Sequence, residues 1–224
     1  VADEGVQIYG GMGYSAEAPM ERAYRDSRIN RIFEGTNEVN RLLIVDMLLK
    51  RARKGQLDLM RPAQAVAGEL LAIPDMMPAG SEPFSSERRT LVNLKKMLLL
   101  VAGAAVQRLG EALANEQELI MRLADIVGYL YLAESALLRA EKLQALRGTD
   151  AVRGQADMAR IYLYTAGDQV YLSAKEAIHA FAEGDELRML LMGLKRFTRT
   201  DPFNVKEARR RVAGQLIDAN CWCY

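Results

Sequence analysis

The sequence predicts an all-α protein, and three observations lead to this class. Leu, Ala and Met are plentiful among the 224 residues, whereas aromatic residues make up only 7%, a mix that favours helices over strands. Apolar residues recur at helical spacing through several long segments, and no segment alternates with the period of a strand. Short breaks containing Gly, Pro, Asp or Asn separate these segments. We therefore expect helices packed around one large or two small cores.

Three helices are predicted in residues 1–55, and we place a domain boundary at the end of the third. A glycine pair ends the first helix, and a proline begins the second at its first helical position. A threonine is the N-cap of the third, whose basic end is followed by a glycine. The helices cover residues 2–9, 19–29 and 37–54, with Gly10, Gly11, Pro19, Thr36 and Gly55 as boundary residues.

Residues 56–84 are expected to connect this part to the rest of the chain. They contain a helix up to about residue 72, interrupted by Pro62, and then a loop marked by three further prolines. Two interpretations of residues 57–77 stay open. We favour a packing segment, because Arg61 is the only internal basic residue, over an amphipathic element that binds a membrane surface. The apolar positions concerned are Leu59, Met60, Val66, Leu70, Leu71, Ile73, Met76 and Met77.

Residues 85–224 are predicted to form an appended antiparallel helical bundle, because long helices joined by short turns pack in this way. Serine, a capping box and an Asp-Pro pair are the expected helix starts. Arg209, Arg210 and Arg211 are expected on a solvated helix face. The five predicted helices cover residues 85–114, 117–148, 150–184, 185 to about 200, and 202–219, with Ser85 or Ser86, residues 115–118, Asp150, Asp185 and Asp201-Pro202 at their starts. The second helix has a predicted apolar stripe of Leu119, Leu123, Ile126, Leu130, Leu137 and Leu138.

The charge pattern and the metal-binding residue types exclude several classes of function. Thirty Lys and Arg against 29 Asp and Glu leave no field of the kind that binds nucleic acid. The longest apolar run, residues 97–106, is about half of what a bilayer span requires. Cys221 and Cys223 are expected to be free thiols, since no further Cys or His accompanies them to complete a zinc site. His179, the only histidine, is expected at a polar position of a bundle helix.

Two motifs lie close together near the start of the sequence. Residues 7–14 read Gln-Ile-Tyr-Gly-Gly-Met-Gly-Tyr, a turn whose glycines let the backbone approach a ligand closely. Residues 31–38 read Arg-Ile-Phe-Glu-Gly-Thr-Asn-Glu, which places a carboxylate next to bulky apolar residues and at the start of a helix. Arg25 and Asp26 lie between them.

Together these motifs resemble the flavin-contacting and catalytic-base segments of the acyl-CoA dehydrogenase family. The resemblance runs from about residue 3 to residue 49 and implies the end of the family's helical C-terminal domain, an FAD cofactor and an acyl-CoA substrate. Glu34 matches the catalytic base, and Gly35 the position beside the substrate thioester. A negative Glu38 is unexpected beside flavin phosphates, so it is expected to turn toward a neighbouring arginine. The positions that match FAD contacts are Gln7, Gly10, Gly11, Thr36, Asn37 and Glu38.

The resemblance also implies a reaction. In this family a base removes the α-proton of an acyl thioester while the β-hydrogen leaves as hydride to the flavin, which gives a trans-2-enoyl-CoA in fatty acid β-oxidation. Apolar neighbours disfavour the charged form of a carboxylate and make it a stronger base. The alternative interpretation of Glu34 is a salt-bridged or capping glutamate near a helix start.

The bundle after residue 84 resembles the extension of the very-long-chain branch of this family, especially at residues 115–140. This resemblance implies a long-chain acyl-CoA, a homodimer or homotetramer, electron-transfer flavoprotein as a partner, and contact with the inner mitochondrial membrane. It also implies that amino-terminal domains of the same polypeptide precede this sequence. The expected location is the cytoplasm of a bacterium, or the mitochondrial matrix or inner-membrane surface of a eukaryote. The alternative is a non-catalytic interaction or assembly module derived from the family.

Overall fold

The computed structural model describes residues 1–70 and 82–224, and these two ranges contain helices and turns but no strand. The predicted all-α class is therefore confirmed. The described residues form two compact units, Val1–Met47 and Leu48–Tyr224. The division falls inside the third helix, whereas the sequence analysis placed it near Gly55. The finer division into residues 1–55, 56–84 and 85–224 stays a prediction.

The first unit contains α1, a short 3-10 turn, α2 and the greater part of α3. The turn folds back onto α1 so closely that a Cβ at Gly13 would lie 2.5 Å from the carbonyl oxygen of Val6, and only glycine permits this approach. The predicted helix positions are confirmed, with Pro19 at the first turn of α2. The elements are α1 (Ala2–Tyr9), the 3-10 turn Gly10–Tyr14, α2 (Pro19–Ile29) and α3 (Asn37–Arg53).

The described part of the second unit contains six further α-helices. The central helix, α5, packs against α4, α6, α7 and α8, and α9 packs on α7. Leu94, Met97 and Val101 of α5 are fully buried in this core. The helices are α4 (Met60–Leu70), α5 (Ser85–Leu109), α6 (Gln117–Arg147), α7 (Arg153–Phe181), α8 (Gly184–Phe197) and α9 (Val205–Ala219).

Side-chain pairs show that the long helices run antiparallel. Arg122 of α6 pairs with Glu176 of α7. About two turns further along α6, the Tyr129 hydroxyl donates to Gln169, which lies earlier in α7. Moving forward along α6 therefore means moving backward along α7. The same relation holds between α5 and α6, where Arg88 pairs with Glu141 and Lys95 with Glu134. The predicted antiparallel bundle is confirmed in these pairs.

Several predicted helix boundaries in the second unit are wrong. Helix α6 begins after Glu116 without a side-chain cap, so the capping box at residues 115–118 does not form. Helix α9 begins at Val205, where Asn204 accepts a hydrogen bond from the amide of Glu207 at 3.2 Å. Asp201 is not its N-cap, because the Asp201 carboxylate accepts hydrogen bonds from Ser86 at 2.5 Å and from Arg89 at 2.9 Å.

Three further expectations need correction. Leu138 is 57% exposed, so it does not belong to the buried stripe of α6. Pro62 does not interrupt α4, because it lies in the first turn, where its missing N–H has no intrahelical partner. Arg211 does not point freely into solvent, since it pairs with the buried Asp157. Cys221 and Cys223 are free, as predicted, and both are exposed. Residues 71–77, the second part of the predicted surface element, lie outside the described residues.

The segment Ser85–Asn115 is the one described helix that is long and apolar enough, by length and composition, to cross a membrane. This property was not predicted, because the longest uninterrupted apolar run, residues 97–106, is only about half as long as a bilayer span. The segment begins with α5, whose lysines at positions 95 and 96 pair with Glu134 and Glu69. Its fully buried residues and its four neighbouring helices are typical of the core helix of a bundle.

Candidate active site

A tight loop joins α2 to α3 and carries the predicted base. The amides of Ile32 and Phe33 both donate to the carbonyl of Ile29, at 2.9 and 3.2 Å, and the amide of Asn37 donates to the carbonyl of Arg31 at 3.2 Å. These bonds close the loop around Glu34, which has a φ of 54°. A non-glycine residue adopts this left-handed conformation only at a cost, and such residues are common at functional sites.

Gly35 continues the left-handed backbone with a φ of 86°. Its carbonyl accepts a hydrogen bond from Nδ2 of Asn40 at 2.9 Å, and a Cβ at this position would lie 3.0 Å from Oδ1 of the same side chain. Both the backbone conformation and the space favour glycine here. The predicted glycine of the thioester position therefore has a structural reason for its presence.

Thr36 is the N-cap of α3, as predicted. Its Oγ1 accepts a hydrogen bond from the amide of Val39 at 3.3 Å, and its carbonyl accepts one from the amide of Asn40 at 2.9 Å. Within residues 1–70 and 82–224, the amides of Glu34, Gly35 and Thr36 donate to no protein acceptor. Three consecutive donors at a helix start form a site that attracts a negative charge or a polarised carbonyl oxygen.

Glu38 lies in the first turn of α3 and turns back onto its own helix. Its own backbone amide and the Thr36 hydroxyl hold the pKa of this carboxyl below its ordinary value, and Arg41 and Arg31 contribute in the same direction. The expectation that Glu38 turns toward a neighbouring arginine stays a prediction, because its largest interactions are with its own backbone amide and Thr36. A carboxylate in this position stabilises the helix start electrostatically.

The residues around Glu34 are open to solvent in this chain. Glu34 itself is exposed, Phe33 is 48% exposed and Ile32 is 51% exposed. The apolar enclosure that would strengthen a carboxylate base is therefore not supplied by the first unit. Val39 and Leu43 on α3 are about half exposed too, so this face of the helix has no cover within the first unit.

The Gly-rich turn presents the other predicted ligand residues. Gln7 lies near the end of α1 and is exposed, and its carbonyl accepts the amide of Gly10. Gly10 has a φ of 61° and Gly11 has no positive φ, and at both positions no atom lies within 4 Å of a Cβ position. The first glycine thus serves the end of the helix, and the second leaves open space above the backbone.

A cleft of about 560 Å³ connects the turn with the base loop inside the first unit. Val6 and Tyr14 line its side on α1 and the turn, and Ile32 lines its side on the base loop. The cleft is lined by chain neighbours of the predicted site residues, but neither Gln7 nor Glu34 is among its lining residues. The remaining lining residues are Glu21, Tyr24, Arg25, Asp26, Arg28 and Ile29.

Asn40 is the residue of this site that the sequence analysis did not single out. An asparagine in the first turn of a helix carries no special signal, and its partner is a carbonyl five residues earlier. Only the left-handed turn at residues 34–35 brings that carbonyl within reach. No group of three or more His, Cys, Asp or Glu that could hold a metal ion occurs in the described part of the chain.

Comparisons with known proteins agree on one family. Two family models, each of an acyl-CoA dehydrogenase C-terminal domain, match residues 1–49 and 93–196. A probable acyl-CoA dehydrogenase of Bacillus subtilis (strain 168) is 43% identical over 219 residues, which are 98% of this chain and 37% of that protein. The mitochondrial short-chain specific acyl-CoA dehydrogenase of Sus scrofa is 53% identical over 53 residues, or 24% of this chain and 13% of that protein.

A solved structure extends the agreement to three dimensions. The crystal structure of an acyl-CoA dehydrogenase complexed with FAD from Bacillus anthracis matches with a TM-score of 0.94 and 42% identity, over 100% of this chain and 38% of that chain. The chain therefore spans less than two fifths of the length of these relatives. Both units contribute to the match, and the chain belongs to the acyl-CoA dehydrogenase family.

Proposed function

We propose that this chain is the carboxy-terminal part of an FAD-dependent acyl-CoA dehydrogenase in which Glu34 removes the α-proton of the substrate. The observation that carries the proposal is the left-handed turn at Glu34 and Gly35, whose amides, like that of Thr36, donate to no acceptor among the described residues. This geometry presents a carboxylate and hydrogen-bond donors side by side. The FAD bound to the Bacillus anthracis relative supports the cofactor.

The residues have separate roles in this proposal. The carboxylate of Glu34 takes the proton from the α-carbon, which leaves negative charge on the thioester oxygen. The amides of Glu34 and Gly35, which have no acceptor among the described residues, would donate to this oxygen and stabilise the enolate. Bound FAD would supply the acceptor for the β-hydride. The base must be enclosed to work well, so the cover that the first unit lacks would come from the flavin and the rest of the polypeptide.

The residues present fit an FAD molecule at two points. Gly11 leaves room for a ligand against the backbone, with Gly10 and Gln7 beside it. Thr36 and Asn37 lie at the start of α3, where a helix attracts phosphate. Glu38 fits less well, because its charge already occupies the helix start. We assign it to the surroundings of the cofactor rather than to a direct phosphate contact.

A long-chain acyl-CoA is the proposed substrate. The Bacillus subtilis relative matches 98% of this chain, including the bundle, whereas the short-chain specific protein matches 24%. The bundle therefore distinguishes this chain from the short-chain type, as expected for the very-long-chain branch. The same proposal includes electron-transfer flavoprotein as the electron acceptor, assembly into a homodimer or homotetramer, and contact with a membrane surface. It places the protein in the cytoplasm of a bacterium, or in the mitochondrial matrix or at the inner-membrane surface of a eukaryote.

The test is a substitution of the base in the complete polypeptide. Glu34→Gln keeps the shape of the side chain but removes the base, so flavin and acyl-CoA should still bind while flavin reduction slows by about 10²–10⁴-fold. Glu17→Gln is the matched control, since Glu17 is exposed in the same unit and lies outside the site. The measurement is the anaerobic loss of the oxidised flavin band after mixing with acyl-CoAs of graded length. Unchanged reduction in Glu34→Gln would sink the assignment.

A second measurement concerns this chain alone. Because Glu34 and the Gly-rich turn are exposed, the isolated chain should bind neither FAD nor acyl-CoA appreciably and should be inactive. The bundle should still unfold cooperatively, since its core is continuous from α4 to α9. A purified yellow chain with one flavin per molecule would contradict the first expectation, and a non-cooperative thermal transition the second.

A further inference from the structure

We propose that Asn40 is a positioning residue for the base, holding the peptide between Gly35 and Thr36 in the orientation that the reaction requires. The inference rests on the proposed function of Glu34. Asn40 does not touch the reacting atoms in this assignment. It acts through the loop.

Asn40 is itself held in place by α3. It lies in the first turn of α3, where its backbone amide donates to the carbonyl of Thr36 at 2.9 Å. From this fixed point its side chain reaches back and donates from Nδ2 to the carbonyl of Gly35, also at 2.9 Å. The rigid end of a helix thus holds the carbonyl of a residue in the preceding loop.

The peptide unit between Gly35 and Thr36 is planar. In a trans peptide the C=O of Gly35 and the N–H of Thr36 lie in one plane and point in opposite directions. A hydrogen bond that holds the Gly35 oxygen toward α3 therefore turns the Thr36 amide away from the Asn40 side chain. That amide has no protein acceptor within the described ranges, in agreement with this orientation.

The backbone of the loop is strained at Glu34. Glu34 and Gly35 have consecutive positive φ values of 54° and 86°, and the first of these is costly for a residue with a side chain. Rotation of the peptide after Gly35 would move the strained turn relative to α3 and would thereby redirect the Glu34 carboxylate. The Asn40 bond opposes that rotation. It thereby couples the direction of the base to the helix.

The chemistry of the side chain explains the choice of asparagine. Aspartate has nearly the same shape but no N–H, so its carboxylate would face the Gly35 oxygen without a donor. Leucine has a similar volume and no polar atom. Glutamine keeps the donor on a side chain longer by one methylene. Comparing these three substitutions distinguishes the effect of the side-chain N–H donor from the effect of side-chain volume.

The experiment uses the complete polypeptide with its flavin bound and compares Asn40→Asp, Asn40→Leu and Asn40→Gln. Asn30→Asp is the matched control, because Asn30 is exposed at the end of α2 and its side chain has no hydrogen bond among the described residues. We expect the limiting rate of flavin reduction to fall about 10–100-fold in Asn40→Asp and Asn40→Leu, since a small displacement of a reacting group has effects of this size. Asn40→Gln should recover part of the rate, and half-saturation by acyl-CoA should change less than threefold, roughly, in all of them.

A second readout separates positioning from mere stability. An acyl-CoA analogue with sulfur in place of the β-carbon can lose its α-proton but cannot deliver a hydride, so the absorbance of its enolate beside the oxidised flavin reports proton removal alone. At a fixed pH the bound enolate fraction should fall several-fold in Asn40→Asp and Asn40→Leu, with flavin content unchanged. A loss of rate that only follows a loss of flavin would overturn the inference, as would wild-type enolate formation in both variants. Failure of the proposed function shows differently, because wild-type protein would then reduce no flavin or Glu34→Gln would keep its activity.

Discussion

Arg211 of α9 holds the carboxylate of Asp157 of α7 with two hydrogen bonds, from Nε at 2.8 Å and from a terminal guanidinium nitrogen at 2.9 Å. The side chain of Asp157 is 7% exposed, whereas that of Arg211 is 57% exposed. A bidentate pair of this kind is directional as well as attractive. The pair links α9, the last described helix, to α7.

Arg211→Ala should destabilise the second unit. The substitution leaves the Asp157 carboxylate buried without its donors, and an unsatisfied buried acceptor costs about 1–3 kcal/mol. Arg209→Ala is the matched control, because Arg209 is exposed on the same helix and has no ion pair in the described part of the chain. The measurement is the urea midpoint of each variant by circular dichroism. Equal midpoints for the two variants would contradict the role of the pair.

Gly35→Ala should reduce activity more than it reduces stability. The added Cβ meets Oδ1 of Asn40 at 3.0 Å and must be accommodated at a φ of 86°. The loop is expected to shift and to misdirect Glu34, which lowers the rate of flavin reduction about 10–100-fold. Gly68→Ala in α4, where no atom lies within 4 Å of the new methyl group, serves as the control. Full activity of Gly35→Ala would show that the left-handed turn is not needed.

Two glycines in the bundle should respond in opposite directions. Gly128 lies in the middle of α6 with no atom within 4 Å of a Cβ position, so Gly128→Ala should stabilise the protein by about 0.5–1 kcal/mol. A Cβ at Gly193 of α8 would overlap Cδ2 of Leu100, which is 3% exposed, so Gly193→Ala should destabilise it by about 1–3 kcal/mol. Thermal unfolding of both variants checks the signs. A gain in stability for Gly193→Ala would mean that α5 and α8 separate easily.

The stability of the bundle should depend on pH through Asp201. The hydrogen bond from Ser86 and the neighbouring Arg89 lower the pKa of this carboxyl below its ordinary value of 3.8. Because the folded-state pKa is the lower one, the stabilisation is present above about pH 4 and is lost as the pH falls through the folded-state pKa. The melting temperature of wild-type protein should therefore fall more steeply below pH 4 than that of Asp201→Asn.

Asp168→Asn is the control for this comparison, since Asp168 is exposed on α7 and has no ion pair within the described residues. Its pH profile should follow that of wild-type protein. If Asp201→Asn and wild-type protein lose stability in parallel on acidification, the carboxyl of Asp201 does not carry the effect.

The sequence predicted those parts of the fold that depend on neighbours in the chain. Thr36 caps α3 through an amide three residues away, and Gly55 and Gly148 end their helices with positive φ values. Such signals are local, and the helix period adds the buried face of each long helix. The resemblance of residues 7–14 and 31–38 to a known family then located the candidate site.

The features that the sequence did not predict depend on partners far away in the chain. Asp201 looked like an N-cap before Pro202, but Ser86 and Arg89 occupy its carboxylate from more than a hundred residues away. Arg211 looked like part of a solvated basic face until its partner Asp157 was located. Asn40 is an exception, because its partner lies only five residues away, but the bond exists only after the loop at Glu34 has turned.

The central position of α5 has a consequence for the dynamics of the molecule. Amide protons exchange with solvent through the least costly opening that frees them. Leu94 and Val101 are fully buried on a helix that packs against four others, so their amides are expected to open only when the whole bundle unfolds. The amides of the Glu34 loop depend on no such event and should exchange early. The chain thus combines a slowly exchanging scaffold with a reactive loop whose order depends on a few local bonds and on whatever binds over it.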